Sequence, residues 1–242
     1  MNRILFEARE VGADGIVHLA GRRAVHVAEV LSPALGAALR VGILDGPMGM
    51  GEVISLAPAE VTLRCTFEDA APPPPSVDLL LALPRPKVMR RLWAQLASLG
   101  LGRIVLTNAE KVERNYFDTH WLQESVYRPL LIEGLEQSGD TRMPAVTVCR
   151  QLKPLVEDQL EPLFPDSRRI ICHPRDAKSI NSVGLATAPR VLLAIGPEGG
   201  WSDYEIDLFT QYGFDCISFG WRTLRADVAC VALIAAVKAA RL

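Results

Sequence analysis

The chain has 242 residues, of which 49% are apolar and 22% are charged, and its formal net charge at pH 7 is −2. This length and apolar content are enough for a sizeable core in one or two domains. The near-neutral charge excludes an overall basic field, so any contact with nucleic acid would have to come from local basic patches.

The first 70 residues predict a small β-rich domain. Their apolar residues form short runs bounded by Gly, Pro and Asp, as in "GIVHLAG", "ALRVGILDG" and "GEVISLAPAEVTLRCTF". One stretch, "GRRAVHVAEVLS", has a helical pattern instead. The four prolines of "AAPPPPSV" cannot join a helix or a central strand, so residues 71–76 are predicted to form a stiff linker.

From residue 77 to residue 242 the pattern alternates strand and helix, which predicts an α/β domain with a largely parallel sheet. The predicted elements are "VDLLLALP", a helix over about 87–99, "GRIVLTN", a helix around 121–137, "RRIICHP", "RVLLAIG", a helix from Asp203, "CISFG" and a final helix from Asp227.

A glycine-rich loop in "VLLAIGPEGGWSDYEI" follows a buried strand and precedes a helix opened by a capping box at Ser202 and Glu205. Ligands usually bind at such strand ends. The loop is neither a dinucleotide fingerprint nor a P-loop, and the carboxylate of Glu198 would repel a phosphate. A ligand with hydroxyls, an amine or a cationic centre suits it better. A tight turn without any ligand is the alternative.

A second segment, "CISFGWRTLRADVACVALIAAVKAARL", predicts a strand, a turn at Gly220 and a helix from Asp227. It brings Arg222 and Arg225 to the same edge as the glycine loop. The helix is apolar nearly all round, which predicts burial on most faces, either within the domain or across a subunit interface.

The five cysteines are scattered, odd in number and without a C-x-x-C pair, which argues against a disulfide framework and against a zinc site. The charged N-terminus is unlike a signal peptide, and the longest apolar run, 228–237, is half of the roughly 20 residues that a membrane span needs. We therefore expect a cytoplasmic protein with reduced thiols, no metal and no membrane association.

The two C-terminal segments, "AIGPEGGWSDYEI" and "FGWRTLRADVACVALIA", resemble the paired signature of the RsmE-type 16S rRNA (uracil-N3)-methyltransferases of the SPOUT superfamily. The resemblance continues more weakly elsewhere. "RAVHVAEVL" and "GILDG" are similar to the family's N-terminal PUA-like domain, and "LEQSGDTRMP" and "ICHPR" are similar to two elements of its catalytic domain.

This resemblance implies a SPOUT-type, trefoil-knotted, mostly parallel sheet in the C-terminal domain and a small β-rich, PUA-like domain at the N-terminus. It also implies a homodimer that binds S-adenosylmethionine and methylates N3 of a specific uridine in 16S rRNA. The substrate would be either the free rRNA or the small ribosomal subunit.

The resemblance also implies site residues. Those of the cofactor pocket are Leu193, Gly196, Glu198, Gly199, Gly200, Phe219, Gly220, Leu224, Arg225 and His173. Arg222 and Arg225 are the catalytic candidates, because a guanidinium can stabilise charge that develops on the uracil carbonyl oxygens. A salt bridge, for example between Arg225 and Asp227 or Glu198, is the alternative role.

Basic residues at matching or clustered positions are candidates for RNA binding, with a solvated helix face as the alternative for the clusters. These candidates are Arg22, Arg23, His26, Arg85, Lys87, Arg90, Arg114 and Arg142. The lone histidines His18 and His120 are interpreted as structural or surface residues. The tryptophans are interpreted as packing residues, with Trp221 as the exception because it aligns beside the pocket.

The sequence departs from the family pattern at Ser32, Gln95, Ser98, Trp221, Asp227 and Val228. These departures keep other functions open. One is a catalytically altered RNA-binding or ribosome-assembly protein of the same fold, and another is methylation of a different RNA site. A small-molecule enzyme that binds a nucleotide in the loop is disfavoured by the missing fingerprints.

Overall fold

The computed structural model describes residues 3–173, 178–218, 220 and 222–241, and the chain forms two compact units. One unit comprises the chain through Pro74 together with Ile132–Met143. The other comprises Pro75–Leu131 and the chain from Pro144 onward.

The first unit contains a five-stranded sheet with the order β1-β3-β4-β5-β2. Its strands are β1 (Ile4–Phe6), β2 (Ile16–Ala20), β3 (Ala38–Ile43), β4 (Met48–Ala57) and β5 (Glu60–Phe67). β1 pairs with β3 in parallel, and the other neighbours are antiparallel. Alternate residues of the strands point inward, as the period of two requires, and Phe6, Leu19, Val41 and Leu63 lie in the core.

The helical pattern of the first unit forms α1 (Gly21–Val25), which continues as a π-helical stretch, His26–Leu31. The later segment 132–143 is bound into the same unit by hydrogen bonds. The backbone N of Arg3 donates to the carbonyl of Glu136 (3.1 Å), and the hydroxyl of Thr141 donates to the carbonyl of Gly46 (2.7 Å). The first unit therefore needs residues that follow part of the second unit in the sequence.

The second unit contains a six-stranded sheet with the order β11-β9-β10-β6-β7-β8, and all of its described pairs are parallel. The strands are β6 (Val77–Ala82), β7 (Arg103–Thr107), β8 (Ala145–Cys149), β9 (Ser167–Cys172), β10 (Arg190–Ile195) and β11 (Phe214–Ile217). Every residue of β6 is buried, as is typical of a parallel sheet covered on both faces. The expected α/β alternation with a largely parallel sheet is confirmed.

Six α-helices follow β6 among the described residues, and the four that the sequence predicted begin within three residues of their predicted starts. The six are α2 (Pro86–Ser98), α3 (Glu124–Ser138), α4 (Leu152–Pro154), α5 (Leu160–Leu163), α6 (Asp203–Gln211) and α7 (Ala226–Ala239), and Leu155–Gln159 joins α4 to α5 as a π-helical stretch. α3 starts later than predicted because His120–Leu122 forms a separate 3₁₀ turn. β8 and the helical segment 152–163 were not predicted. No helix among the described residues is long and apolar enough to cross a membrane.

A buried ion pair fixes the start of β10 against β6. Asp78 is the one charged residue of β6, and its side chain is fully buried. The Arg190 guanidinium binds it in a bidentate manner, with Nη2 2.7 Å from Oδ1 and Nε 3.1 Å from Oδ2. Burial raises the pKa of the Asp78 carboxyl above its usual value, and Arg190 opposes that rise.

Removing the guanidinium by Arg190→Met should lower the free energy of unfolding by about 3 kcal/mol, because it leaves a buried carboxylate without its partner. Urea denaturation measures this loss. The control is Arg64→Met, which breaks an exposed pair with Glu52 and should cost less than about 1 kcal/mol.

The loss caused by Arg190→Met should also depend on pH. The folded-state pKa of Asp78 is already raised, and without Arg190 it rises further, so the destabilisation grows as pH rises through that pKa and shrinks on acidification. Equal losses at neutral pH and at about pH 4 would show that the carboxylate charge is not the cause.

Candidate functional site

Three neighbouring strands end at one edge of the six-stranded sheet. β9 ends at Cys172, β10 at Ile195 and β11 at Ile217. Because these strands are parallel, the segments that follow them meet at the same edge. They enclose a cavity of about 370 Å³. That volume lies within the roughly 300–1,000 Å³ range of small-molecule sites.

The walls of the cavity are formed by both segments that the sequence singled out. Residues 195–201 line it completely, and residues 222–224 line the opposite part together with Ala226 of α7. Cys172 and His173 close the end beside β9. The structure therefore brings the glycine loop and the arginine-bearing segment to one site.

The glycine loop is fixed to the core by Trp201. This indole is 3% exposed and packs edge-on against Phe209, with the ring centroids 4.9 Å apart. A Cβ at Gly196 would come within 3.1 Å of the indole, and Gly200 has a φ of +68°, which other residues adopt only with strain. The geometry of a tight turn thus explains the glycines at positions 196 and 200 without a ligand, as the alternative interpretation of the loop predicts.

A buried carboxylate joins this loop to a different strand end. The predicted capping box is present, with Glu205 accepting from the backbone N of Ser202 at 2.8 Å. The other oxygen of Glu205 accepts from the backbone N of Glu110 at 2.7 Å. Glu205 is only 4% exposed. It therefore holds the segment after β7 against the start of α6.

Lys111 is a cavity residue that sequence reasoning missed. Its ammonium donates to the carbonyl of Gly199 at 2.9 Å, and a Cβ placed on Gly199 would lie 2.9 Å from the Cδ atom of Lys111. The lysine stem thus lies along Gly199, the loop glycine that neither a contact with Trp201 nor a positive φ accounts for. Nothing in "NAEKVERN" marks this contact, since it joins residues 88 positions apart.

The two catalytic candidates are placed differently. Arg222 lines the cavity, whereas Arg225 does not. The Arg225 side chain is 75% exposed, and its Nε lies 3.8 Å from Oδ1 of Asp227. Asp227 also accepts from Nη2 of Arg91 at 3.1 Å. The salt-bridge alternative therefore applies to Arg225.

Most of the predicted cofactor residues lie at the cavity. Those that line it are His173, Gly196, Glu198, Gly199, Gly200, Gly220 and Leu224. Leu193 is fully buried inside β10, two residues before the loop, and does not line the cavity. Phe219 and Trp221 lie outside the described residues.

The cavity wall carries charges of both signs. Glu198 and Asp203 contribute carboxylates, and Lys111 and Arg222 contribute cations. Such a wall suits a small ligand that itself carries both charges better than it suits a phosphate.

In the second unit, the RNA-binding candidates are exposed. Arg85, Lys87 and Arg90 lie at or near the start of α2, and Arg114 lies in the 3₁₀ turn Arg114–Asp118.

The candidates of the first unit differ in their contacts. Arg22 is exposed, His26 is half-buried, and Arg23 pairs with Glu10. Arg142 binds the backbone of the proline-rich segment, since its Nε donates to the carbonyl of Pro72 at 2.6 Å. Arg142 therefore has a clear structural role.

Comparison with known proteins identifies the family. Residues 71–238 match the family described as "RNA methyltransferase domain". The chain is 32% identical to the ribosomal RNA small subunit methyltransferase E of Treponema pallidum, over 99% of this chain and 91% of the relative. The chain belongs to the RsmE-type family of rRNA methyltransferases. The resemblance found in the two C-terminal segments is thereby confirmed.

Two solved structures of methyltransferases have the same fold as this chain. A methyltransferase from Legionella pneumophila, solved with the bound cofactor SAM, superposes with a TM-score of 0.80 at 24% identity over 99% of this chain and 98% of that one. The ribosomal RNA small subunit methyltransferase E of Neisseria gonorrhoeae, solved with S-adenosyl methionine, gives a TM-score of 0.79 at 19% identity over 99% and 97%. The likeness covers both units.

The double hydrogen bond of Glu205 predicts a local effect of mutation. Glu205→Ala should cost about 2–3 kcal/mol of stability, because two backbone donors lose a charged acceptor. Hydrogen exchange should become faster at the amides of Glu110 and Ser202 in particular.

The control is Glu113→Ala, which removes an exposed acceptor of the Tyr116 hydroxyl and should leave those amides unchanged. Uniformly faster exchange across the second unit in Glu205→Ala would contradict a local role.

Proposed function

We propose that this chain transfers a methyl group from S-adenosylmethionine to N3 of a specific uridine in 16S rRNA. The observation that carries the proposal is the convergence of two family segments, 195–201 and 222–224, on one cavity that also presents Arg222. Family membership supports the reaction class.

The residues of the cavity fit the cofactor. The backbone of the glycine loop offers a close approach, and the carboxylate of Glu198 suits the sulfonium, amine or ribose hydroxyls of S-adenosylmethionine. Lys111 and Arg222 suit its carboxylate. When bound, S-adenosylmethionine supplies an electrophilic methyl group and leaves as S-adenosylhomocysteine.

The acceptor nitrogen determines what the protein must do. N3 of uracil carries a proton between two carbonyl groups, so methylation requires loss of that proton and stabilisation of the charge on N3, O2 and O4. Arg222 would donate hydrogen bonds to a carbonyl oxygen and favour the deprotonated base. The proton passes to solvent, and the target base must be unstacked to enter.

The proposal extends to the architecture. The all-parallel order β11-β9-β10-β6 supports a SPOUT-type sheet with a trefoil knot, and the five-stranded sheet of the first unit supports a PUA-like RNA-binding domain. Helix α7 exposes two large apolar side chains, Val228 and Val231, which supports a homodimer formed through this helix. A cytoplasmic location follows from the substrate.

Contacts with the rRNA complete the proposal. Exposed cations at the start of α2 and on the first helix of the chain would neutralise phosphates, and Arg114 would contact RNA near the site. Phe219, which lies outside the described residues, remains a proposed cofactor residue, whereas Arg225 would act beside the cavity, since its neighbour Leu224 lines it and Arg225 does not.

The cofactor site can be tested by calorimetric titration with S-adenosylhomocysteine. The wild-type protein should bind it, and Gly199→Val should weaken binding at least tenfold, because the new side chain would meet the stem of Lys111 and fill the cavity edge.

The matched control for this titration is Ala186→Val, the addition of a similar side chain at an exposed position outside the cavity. Binding that is equal in all three proteins, or absent in the wild type, would refute the assignment of this cavity.

The two arginines should differ in methyl transfer to unmodified 16S rRNA. Arg222→Ala should lower kcat by roughly 10²–10³, a typical loss for one preorganised donor, and should affect S-adenosylhomocysteine affinity much less. Arg225→Ala should have a smaller effect, since its ion pair with Asp227 lies outside the cavity. The reverse order of effects would assign catalysis to Arg225. Cofactor binding without any methyl transfer would instead favour the catalytically altered protein.

A further inference from the structure

A cluster of one cationic and two aromatic side chains lies outside the cavity, beside helix α2. The His120 and Trp121 ring centroids are 4.2 Å apart with the ring planes tilted by 42°, and the guanidinium carbon of Arg90 lies 5.2 Å from the centre of the Trp121 ring. We call Arg90, His120 and Trp121 the aromatic platform. His120 and Arg90 are exposed, and Trp121 is half-buried.

The backbone of the platform at Trp121 is held by a hydrogen bond from a buried side chain. The indole N–H of the buried Trp93 donates to the carbonyl of Trp121 at 2.9 Å, and Trp93 itself stacks on Tyr127 with centroids 4.8 Å apart. This hydrogen bond uses the backbone of Trp121, whereas its ring contacts Arg90 and His120. A platform ordered in advance loses little side-chain freedom when a ligand binds.

Further cations lie near Arg90 in the sequence, and one of them pairs with the start of the helix that lines the cavity. Arg85, Lys87 and Arg91 are exposed on the same helical segment as Arg90. Arg91 also binds Asp227, which follows the cavity residue Ala226 at the start of α7. The part of α2 that carries the platform therefore lies against the helix that lines the cavity.

The chemistry of the platform favours one kind of ligand. Aromatic rings and guanidinium planes are the side chains on which unpaired bases stack, and flanking cations take up the phosphates. Paired bases are already stacked on each other, so a duplex could use only the cations. An acidic protein would need the cations but would leave the rings unused.

We propose that the aromatic platform binds an unpaired base of the RNA substrate that flanks the methylated nucleotide. This inference rests on the proposed function. It assigns roles to His120 and Trp121, for which the sequence indicated only surface and packing positions.

Fluorescence anisotropy with two RNA probes tests the proposal: a single-stranded oligouridine of about ten nucleotides and a duplex of the same length. Trp121→Leu keeps apolar bulk but removes the aromatic face. It should weaken binding of the single strand roughly tenfold, leave the duplex unchanged and keep the same slope of affinity against salt. Trp121→Phe should retain most of the affinity.

Two further variants separate stacking from charge. Arg85→Gln should weaken both probes and reduce the salt slope, since it removes a phosphate contact. Arg150→Gln is the matched control, because Arg150 makes a comparable contact, at 5.4 Å, with the ring of Phe117, which is not part of the platform. It should leave the single-strand affinity unchanged.

The outcomes distinguish the platform from the methyltransferase proposal. Titration with S-adenosylhomocysteine shows whether each variant keeps its cofactor site. If Trp121→Leu binds the single strand as well as Trp121→Phe does, or loses both probes equally, the platform is refuted even if the wild type methylates 16S rRNA. If the wild type transfers no methyl group but its oligouridine binding depends on an aromatic residue at position 121, the platform stands and the enzymatic proposal fails.

Discussion

Strand β10 is hydrogen-bonded in parallel on both sides, to β9 and to β6, and the site depends on this pairing. The register sets Leu193 opposite Leu79 on one side and Ile170 on the other, so the last residue of β10 reaches the sheet edge together with its neighbours. A parallel arrangement sends every following loop to the same edge. The position of the cavity is therefore a consequence of strand direction. Its glycines determine only the local shape of the loop that lines it.

The parallel sheet determines where the cavity lies, but Glu205 is needed to fix the loops that form its walls. This carboxylate ties two loops that leave different strands, β7 and β10, through backbone donors rather than side chains. Because Glu205 binds only backbone donors, the side chains of these loops are not used for this contact and can act on a ligand. The mixture of carboxylates and cations around the cavity is compatible with a cofactor that carries both a sulfonium and a carboxylate.

The sequence predicts the parts of this protein that have local causes. The capping box, the strand before the glycine loop and the alternation of strands and helices all follow from short-range periodicity and turn chemistry. β8 is a short strand at the sheet edge with mostly half-buried residues, and a π-helical stretch interrupts the pattern between residues 152 and 163. Lys111 and the separation of Arg222 from Arg225 depend on contacts between distant segments, which leave no local pattern. The pairing of Arg225 with Asp227, two residues apart, was among the alternatives that the sequence offered, whereas the pairing of Arg91 with Asp227, 136 residues apart, was not.

The return of residues 132–143 to the first unit has a consequence for biosynthesis. A chain that emerges from the ribosome must expose residues 75–131 before the final segment of the first unit is available, and Arg3 cannot acquire its backbone partner at Glu136 until then. The N-terminal unit thus cannot complete its folding first, although domains generally fold in the order of their synthesis. Expression of residues 1–74 alone would yield an incomplete unit, whereas a chain ending just after residue 143 would contain all of it.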